Sequence, residues 1–361
     1  MSPYLLSAHI WPEIGDSVVN AMNVLLDGLL APATRLIDLG DSVSLYWLIA
    51  AVLFTLTAHG LLRRRRGRGL LPLGVFARFA FPRRVFLHPS ARLDYKLYVI
   101  NSFLLATVLG LFVLGAQEWK NLFLGAIERA IGPGAQGGMP SWSVFFLTTG
   151  CQLLALDFGY WLAHFAFHKS PVLWEFHKVH HSAEVMTPAT ELRQHPVELI
   201  VFPLVYGLTS GATYAVMIHV FGAEAQMLGL FGQNLILVTH LATFHHLRHS
   251  HVRMPFNGLW GKLLHSPAHH HIHHSAAPHH FDKNLGFLFS LWDWMFGTLH
   301  VPDPRERIIL GIGVEGETHS SVAQVMWQPI RQAGRLLVRR RPRTRRDDSP
   351  ADRAVPSGRH G

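Results

Sequence analysis

Trp142–His181 reads WSVFFLTTGCQLLALDFGYWLAHFAFHKSPVLWEFHKVHH. Its first half, Trp142–Ala163, is mostly apolar and carries one acid, Asp157, and about 20 such residues cross a hydrocarbon core as a helix. Its second half carries His164 and His168 at i,i+4, then His177, His180 and His181 as H-x-x-H-H. Both spacings put imidazoles on one helix face. The stretch therefore reads as a membrane span that delivers metal-ligand side chains to its end.

Working outward, four more apolar stretches stand out: Leu45–Leu62, Val99–Ala116, Leu199–Val220 and Met227–Leu241. The last is short and holds Gln233 and Asn234, which also suits a buried or re-entrant segment. Ile14–Leu39 has apolar residues at helical spacing, interrupted by Asp16, Asp27 and Asp38, and reads as an interfacial amphipathic helix. The expected fold is all-α: a polytopic membrane protein with about 4–5 transmembrane helices and a cytoplasmic histidine-rich helical cap. Four regions follow. Residues 1–43 form an interfacial segment, and 44–141 the first two spans with an external loop. Residues 142–310 form the histidine-rich domain, and 311–361 a basic tail, disordered from about Asp347.

Composition agrees. Of 361 residues, 49% are hydrophobic and only 15% charged, too apolar for a disordered chain and too poor in charge for an ordinary soluble surface. The net charge of +9 is local: five Arg lie in Arg63–Arg68 and eight in Arg331–Arg346. Without those thirteen, 19 basic residues face 23 acidic ones, so no nucleic-acid-binding face is read. The single Cys151 excludes an intramolecular disulfide framework and a Cys-based metal cluster. The first forty residues lack a basic n-region and a small-residue cleavage site, so no secretory signal is read. Positive residues stay cytoplasmic, so Arg63–Arg66 puts the N-terminus outside. Counting spans from there brings every histidine group and the Arg-rich tail to the cytoplasmic face of an inner or plasma membrane. The tail reads as solvated or lipid-touching. No feature sets an oligomeric state.

Twenty of the 26 histidines lie between His164 and His280. Two more groups follow the first two: His245-x-x-x-His249, and His270-x-x-His273-His274. Ten imidazoles exceed one zinc site, which takes three or four protein ligands, and suffice for two transition-metal sites. Isolated histidines (His9, His59, His88, His219, His300, His319, His360) read as ordinary core or surface residues. An all-imidazole set suits iron, zinc, copper or nickel on ligand softness.

The combined pattern resembles the fatty acid hydroxylase/sterol desaturase superfamily of integral-membrane di-iron oxygenases. The likeness covers roughly Phe145–His300. It rests on Asp157–His168, Trp174–Glu184, Thr190–Glu198, Ser266–Ser275, Asn284-Leu-Gly and Trp292–Thr298. It implies as metal ligands His164, His168, His177, His180, His181, His249, His270, His273 and His274. His245 is the tenth, with His246 beside it as the alternative, and His269 and His271 are extra. Asp157, about two turns deeper than His164, is expected to orient a ligand imidazole. Arg193 and Glu198 are expected either to pair and hold the cap or to touch substrate; Glu184 and Asp293 read similarly. Trp161, Trp174, Trp292 and Trp294 are read as packing aromatics.

The resemblance implies two iron ions, O2 as co-substrate, and hydroxylation or desaturation of a C–H bond in a lipid such as a fatty acyl chain, sterol or related isoprenoid. The sequence has no haem-attachment motif, no dinucleotide-binding glycine fingerprint and no Cys-rich iron–sulfur set. A separate reductase, ferredoxin or cytochrome is thus implied. The competing readings are a membrane zinc hydrolase, which the absence of His-Glu-x-x-His disfavours, and a non-enzymatic metal-binding membrane protein.

Overall fold

The computed structural model describes residues 7–69, 72–108, 114–134, 139–303, 305–312 and 319–339. The expected disorder beyond Asp347 lies outside them. Helices α1 (Ser7–Ile37), α2 (Leu45–Arg65), α3 (Leu73–Ala80), α4 (Arg83–Phe86), α5 (Pro89–Thr107) and α6 (Ala116–Ile131) precede α7 (Ser141–Lys169). Then come α8 (Pro171–His181) and α9 (Pro196–Phe221), a two-residue hairpin β1–β2 (Gly229–Leu230, Gln233–Asn234) and α10 (Leu235–His240). Short helices α11 (His246–Arg248), α12 (Gly258–Leu263), α13 (Pro267–His273) and α14 (Leu291–Met295) lead to α15 (Val322–Arg339).

The protein is predominantly helical, as expected. Among the described residues two helices, Leu45–Arg65 and Pro196–Glu224 with its short 3-10 extension, are long and apolar enough to cross a membrane by length and composition. α7 runs unbroken over 29 residues from the third apolar stretch through both of its histidines. The stretch Met227–Leu241 is no single span. Phe231 (φ 54°) and Gly232 (φ 75°) turn the chain back in the hairpin. Asn234 then caps α10 by accepting from the Ile236 N–H at 3.0 Å. In the second apolar stretch α5 ends at Thr107 and α6 begins at Ala116, with 109–113 outside the described residues.

α7 and α9 pack along each other, and the reason is a missing side chain. A Cβ on Gly159 would stand 2.2 Å from Thr209 Oγ1 and 2.6 Å from Tyr206 Cα. That approach lets the Thr209 hydroxyl donate to Ala155 O at 2.7 Å, a bond between helices. Gly207-x-x-x-Gly211 does the same against α6, where a Cβ on Gly211 would meet Trp119 Cβ at 2.4 Å. Gly159→Leu should therefore destabilise the fold by about 1–3 kcal/mol through overpacking, read as a lower melting temperature in detergent. An unchanged melt would show that the α7–α9 contact tolerates separation. Between these helices and α8, buried Ala163, Phe167 and Phe202 form an apolar cluster that seats the histidine-bearing ends.

The histidine helices start at fixed places because proline sits at their first turn, where a missing N–H costs nothing. Ser170, His195 and Ser266 precede Pro171, Pro196 and Pro267 and cap α8, α9 and α13. At α9 the cap is reciprocal: His195 Nδ1 accepts from Val197 N–H, and Glu198 Oε1 accepts from His195 N–H at 3.0 Å. The region expected as a basic tail contains α15, which packs on α8 and buries Val325 and Ala333.

Candidate metal centre

Nine of the ten expected imidazoles come together in two groups. His164, His168, His177, His181 and His273 make the first, and His180, His249, His270 and His274 the second. Within each group the ligand atoms lie within 4.8 Å of one another. The two groups adjoin: the His181 and His274 rings stack at 4.6 Å between centroids. Each H-x-x-H-H motif is divided crosswise. α8 gives its i,i+4 pair, His177 and His181, to the first group and His180 to the second. α13 gives its pair, His270 and His274, to the second group and His273 to the first. The adjacent-histidine doublet thus links both groups to both helices.

The donor atoms fit metal ions. His164 and His177 approach Nε2 to Nε2 at 3.0 Å, and His181 and His177 at 3.2 Å. In the second group His270–His249 is 2.8 Å, His274–His270 3.1 Å and His249–His180 3.2 Å. Nitrogens at about 2.1 Å from a six-coordinate ion are about 3.0 Å apart along an edge. Burial pushes the His180 pKa down to about 3, with the Arg193 cation adding to the effect. Burial likewise lowers His168, and burial with neighbouring His180 lowers His249 well below the usual imidazole range. These rings are neutral at pH 7, the form that offers a lone pair. His168 Nε2 and His273 Nε2 are buried without a hydrogen-bond partner among the described residues.

In the first group four of the five far nitrogens meet oxygen acceptors. His164 Nδ1–H donates to Leu285 O (2.7 Å), His177 Nδ1–H to Glu198 Oε2 (2.6 Å) and His273 Nδ1–H to Lys283 O (3.0 Å). His168 Nδ1 meets Asp282 Oδ1 at 3.3 Å. The His168 contact, and after it Lys169, hold the Asp282 carboxyl at about 2 against the opposing effect of burial. Such outer partners select the Nδ1–H tautomer and aim Nε2 inward. The second group differs. His180 Nδ1 and His274 Nδ1 have no partner among the described residues, and His270 Nδ1 stands 3.3 Å from Arg248 Nη2.

Three expected residues lie elsewhere. His245 is in neither group; its Nε2 is 2.8 Å from Glu191 Oε2. A π-helical turn at Leu241–His245 is followed by the three-residue α11, and His249 leaves helical geometry at φ −101°, ψ 67°. The i,i+4 spacing therefore does not bring the two rings to one face. His246 is buried beside His245, also outside both groups. Asp157 touches no imidazole. Seven residues span about 10 Å of helix, and its carboxylate instead accepts from Leu288 N–H (2.7 Å) and Trp292 Nε1–H (2.8 Å). It holds the loop whose Leu285 carbonyl receives His164.

Arg193 joins α8 to α5: Nη1 donates to Asp94 Oδ1 at 2.8 Å, Nε to Val179 O at 3.0 Å and Nη2 to Ser182 Oγ at 2.9 Å. Its partner is Asp94, not Glu198. Of the extra histidines, His269 closes the α13 cap with Ser266 at 2.7 Å, and neither it nor His271 enters a group. Asp293 accepts from Leu285 N–H, Gly286 N–H and Thr298 Oγ–H, fixing the same loop. Sequence reading missed Asp282 and Arg248. Asp282 lies two residues before the Asn284-Leu-Gly motif, and Arg248 adjoins His249, so proximity to quoted motifs was the available signal.

Residues 149–298 match the family model for fatty acid hydroxylase. That match, with the relatives below, supports the likeness to the fatty acid hydroxylase/sterol desaturase superfamily over this segment. Among curated proteins it is 25% identical over 169 residues to the alkylglycerol monooxygenase of Caenorhabditis elegans, covering 46% of this chain and 30% of that protein. It is 30% identical over 161 residues to the Danio rerio alkylglycerol monooxygenase, covering 44% and 31%. It is 27% identical over 190 residues to the ornithine lipid hydroxylase OlsE of Rhizobium tropici, covering 52% and 51%. The chain thus spans about a third of these monooxygenases and half of the lipid hydroxylase. No solved structure matches.

Proposed function

We propose that this protein is a membrane-embedded di-iron oxidoreductase that uses O2 to hydroxylate (or desaturate) a C–H bond of a lipid. The observation that carries the reading is nine imidazoles, eight on buried residues and His168 with its side chain 4% exposed, divided crosswise between two adjoining groups with no carboxylate among their members. Similarity to proteins named as lipid monooxygenases and hydroxylases supports it.

His164, His168, His177, His181 and His273 would hold one ion, and His180, His249, His270 and His274 the other. Bound iron supplies the redox chemistry that lets O2 attack an unactivated C–H bond, chemistry that zinc lacks. The chain's own part is to keep the donors neutral, aimed and dry. Leu285 O, Lys283 O, Glu198 and Asp282 fix ring orientation, while Phe167, Ile272 and Leu285, all fully buried, exclude water. A zinc hydrolase needs a general base beside its water. Neither group includes an acid, and Glu198 is committed to His177 and to the cap of α9.

The reading includes a multi-pass topology with the N-terminus outside and the histidine groups facing the cytoplasm, because Arg63–Arg66 closes α2. The lipid enters from the bilayer, where its alkyl part is already dissolved, and electrons arrive from a separate reductase, ferredoxin or cytochrome. Residues 142–310 form the catalytic unit. Turnover under labelled dioxygen should place the label in a lipid hydroxyl. A product lighter by two hydrogens, with label in water, would move the assignment to desaturation. A product labelled from water and formed equally well without O2 would remove both.

A further inference from the structure

Besides Glu191 with His245 and His246, another histidine cluster lies outside both buried groups. Pro278–His280 forms a single 3-10 turn that presents adjacent His279 and His280, and Glu306 arrives from the segment after the family-matched region. The ligand atoms of His279, His280 and Glu306 fall within 4.8 Å of one another. His300 adjoins them, with its Nε2 2.8 Å from Glu306 Oε1 and its ring 4.9 Å from that of His280. His280 is only 1% exposed, yet neither ring nitrogen has a hydrogen-bond partner among the described residues. Its Nε2 points toward Glu306 Oε1 at 3.6 Å, too long for a hydrogen bond. A buried imidazole with two unmet nitrogens is costly unless something else satisfies it.

We propose that His279, His280 and Glu306, with His300 as a neighbouring fourth donor, form a third metal site that takes an exchangeable divalent cation of the zinc class. Imidazoles with one carboxylate suit zinc, cobalt or nickel, whereas calcium and magnesium demand oxygen donors. The carboxylate is pre-set for the task. Asp303 N–H donates to Glu306 Oε2 at 3.1 Å, and Arg253 Nη2 lies 3.7 Å from the same oxygen. Oε1 is left facing the histidines. His279 is exposed, so the ion reaches the site from solvent, unlike the nine ligands of the two groups.

The placement gives such an ion a structural task. Two residues past His280, Asp282 meets His168, and the Lys283 carbonyl accepts from His273, both in the first buried group. On the other side Asn284 binds His300 in both directions, Nδ2 to His300 O and His300 N–H to Oδ1, each at 2.8 Å. A cation joining the 278–280 turn to Glu306 would therefore clamp both ends of the loop that orients two ligands of the buried centre. The site stands whether the buried groups hold iron or another metal.

Equilibrium dialysis of the intact, metal-loaded protein against zinc, with cobalt as a coloured probe, tests it. One saturable equivalent beyond the buried metals is expected. His279→Ala and Glu306→Gln should each weaken that equivalent at least ~10-fold while leaving the buried metal content unchanged. His279 is a surface residue and Gln retains an oxygen for Asp303 N–H, so both variants should keep the parent melting temperature. No additional equivalent, or one that neither variant weakens, overturns the proposal.

Discussion

His273→Ala is expected to lower bound metal from about two ions per chain to about one and to cut turnover at least ~100-fold. His273 supplies the only donor that α13 gives to the first group, and its ring packs 4.4–4.9 Å from those of His164, His168 and His181. Losing an outer-shell partner of a ligand already costs 10–100-fold in affinity or activity, so losing a ligand should cost more. Elemental analysis of anaerobically purified protein reads the metal, and an O2-consumption assay reads turnover. The informative contrast is His245→Ala. That imidazole pairs with Glu191, whose carboxyl the contact with His245, and after it His246 and Arg248, holds at about 2 against burial. Metal content should stay near two. If His245→Ala loses an ion while His273→Ala does not, the grouping described above is wrong.

Glu198→Gln is expected to weaken metal binding in the first group by about 10–100-fold. The carboxylate is buried, and its two oxygens serve different donors: Oε1 takes His195 N–H at 3.0 Å and Oε2 takes His177 Nδ1–H at 2.6 Å. An amide of the same size has only one acceptor oxygen, so its NH2 must face one of those two donors. Either the α9 cap loosens or His177 loses its anchor. Competition against a graded chelator separates the outcomes from simple unfolding, provided the metal-free variant's melting temperature is compared with the parent's. Unchanged chelator resistance with a lowered melt would make Glu198 a cap residue only. The second group serves as an internal control, since Glu198 contacts none of its rings.

The helical class and the membrane character were legible because both depend on local pattern. A run such as Leu45–Leu62 has one low-energy answer in hydrocarbon, and α2 occupies it. Met227–Leu241 has a similar apolar content, but Phe231 and Gly232 turn back and Asn234 starts a new helix. Hydropathy averages over such polar punctuation, so it offered a span, with Gln233 and Asn234 marking the buried or re-entrant alternative, where the chain makes a hairpin and a short helix.

The same division holds in the site. H-x-x-H-H on α8 and α13 follows from 3.6 residues per turn, which puts i, i+3 and i+4 on one side without reference to the rest of the chain. By itself, the sequence determined that these rings share one face of each helix. Which ring joins which group was decided only by the packing of α7, α8, α11 and α13. That packing sends His180 and His273 across to the opposite group. His245 and Asp157 show the limit most clearly. Spacing measures a position along a helix axis, whereas a ligand or its anchor is defined by a distance of about 3 Å between atoms far apart in the chain. A π-turn removed His245 from the face that spacing assigned, and the 282–293 loop, 125 or more residues away, took the carboxylate of Asp157. Backbone carbonyls such as Leu285 O and Lys283 O carry no side-chain signature at all, so only the tertiary structure could reveal that they aim His164 and His273.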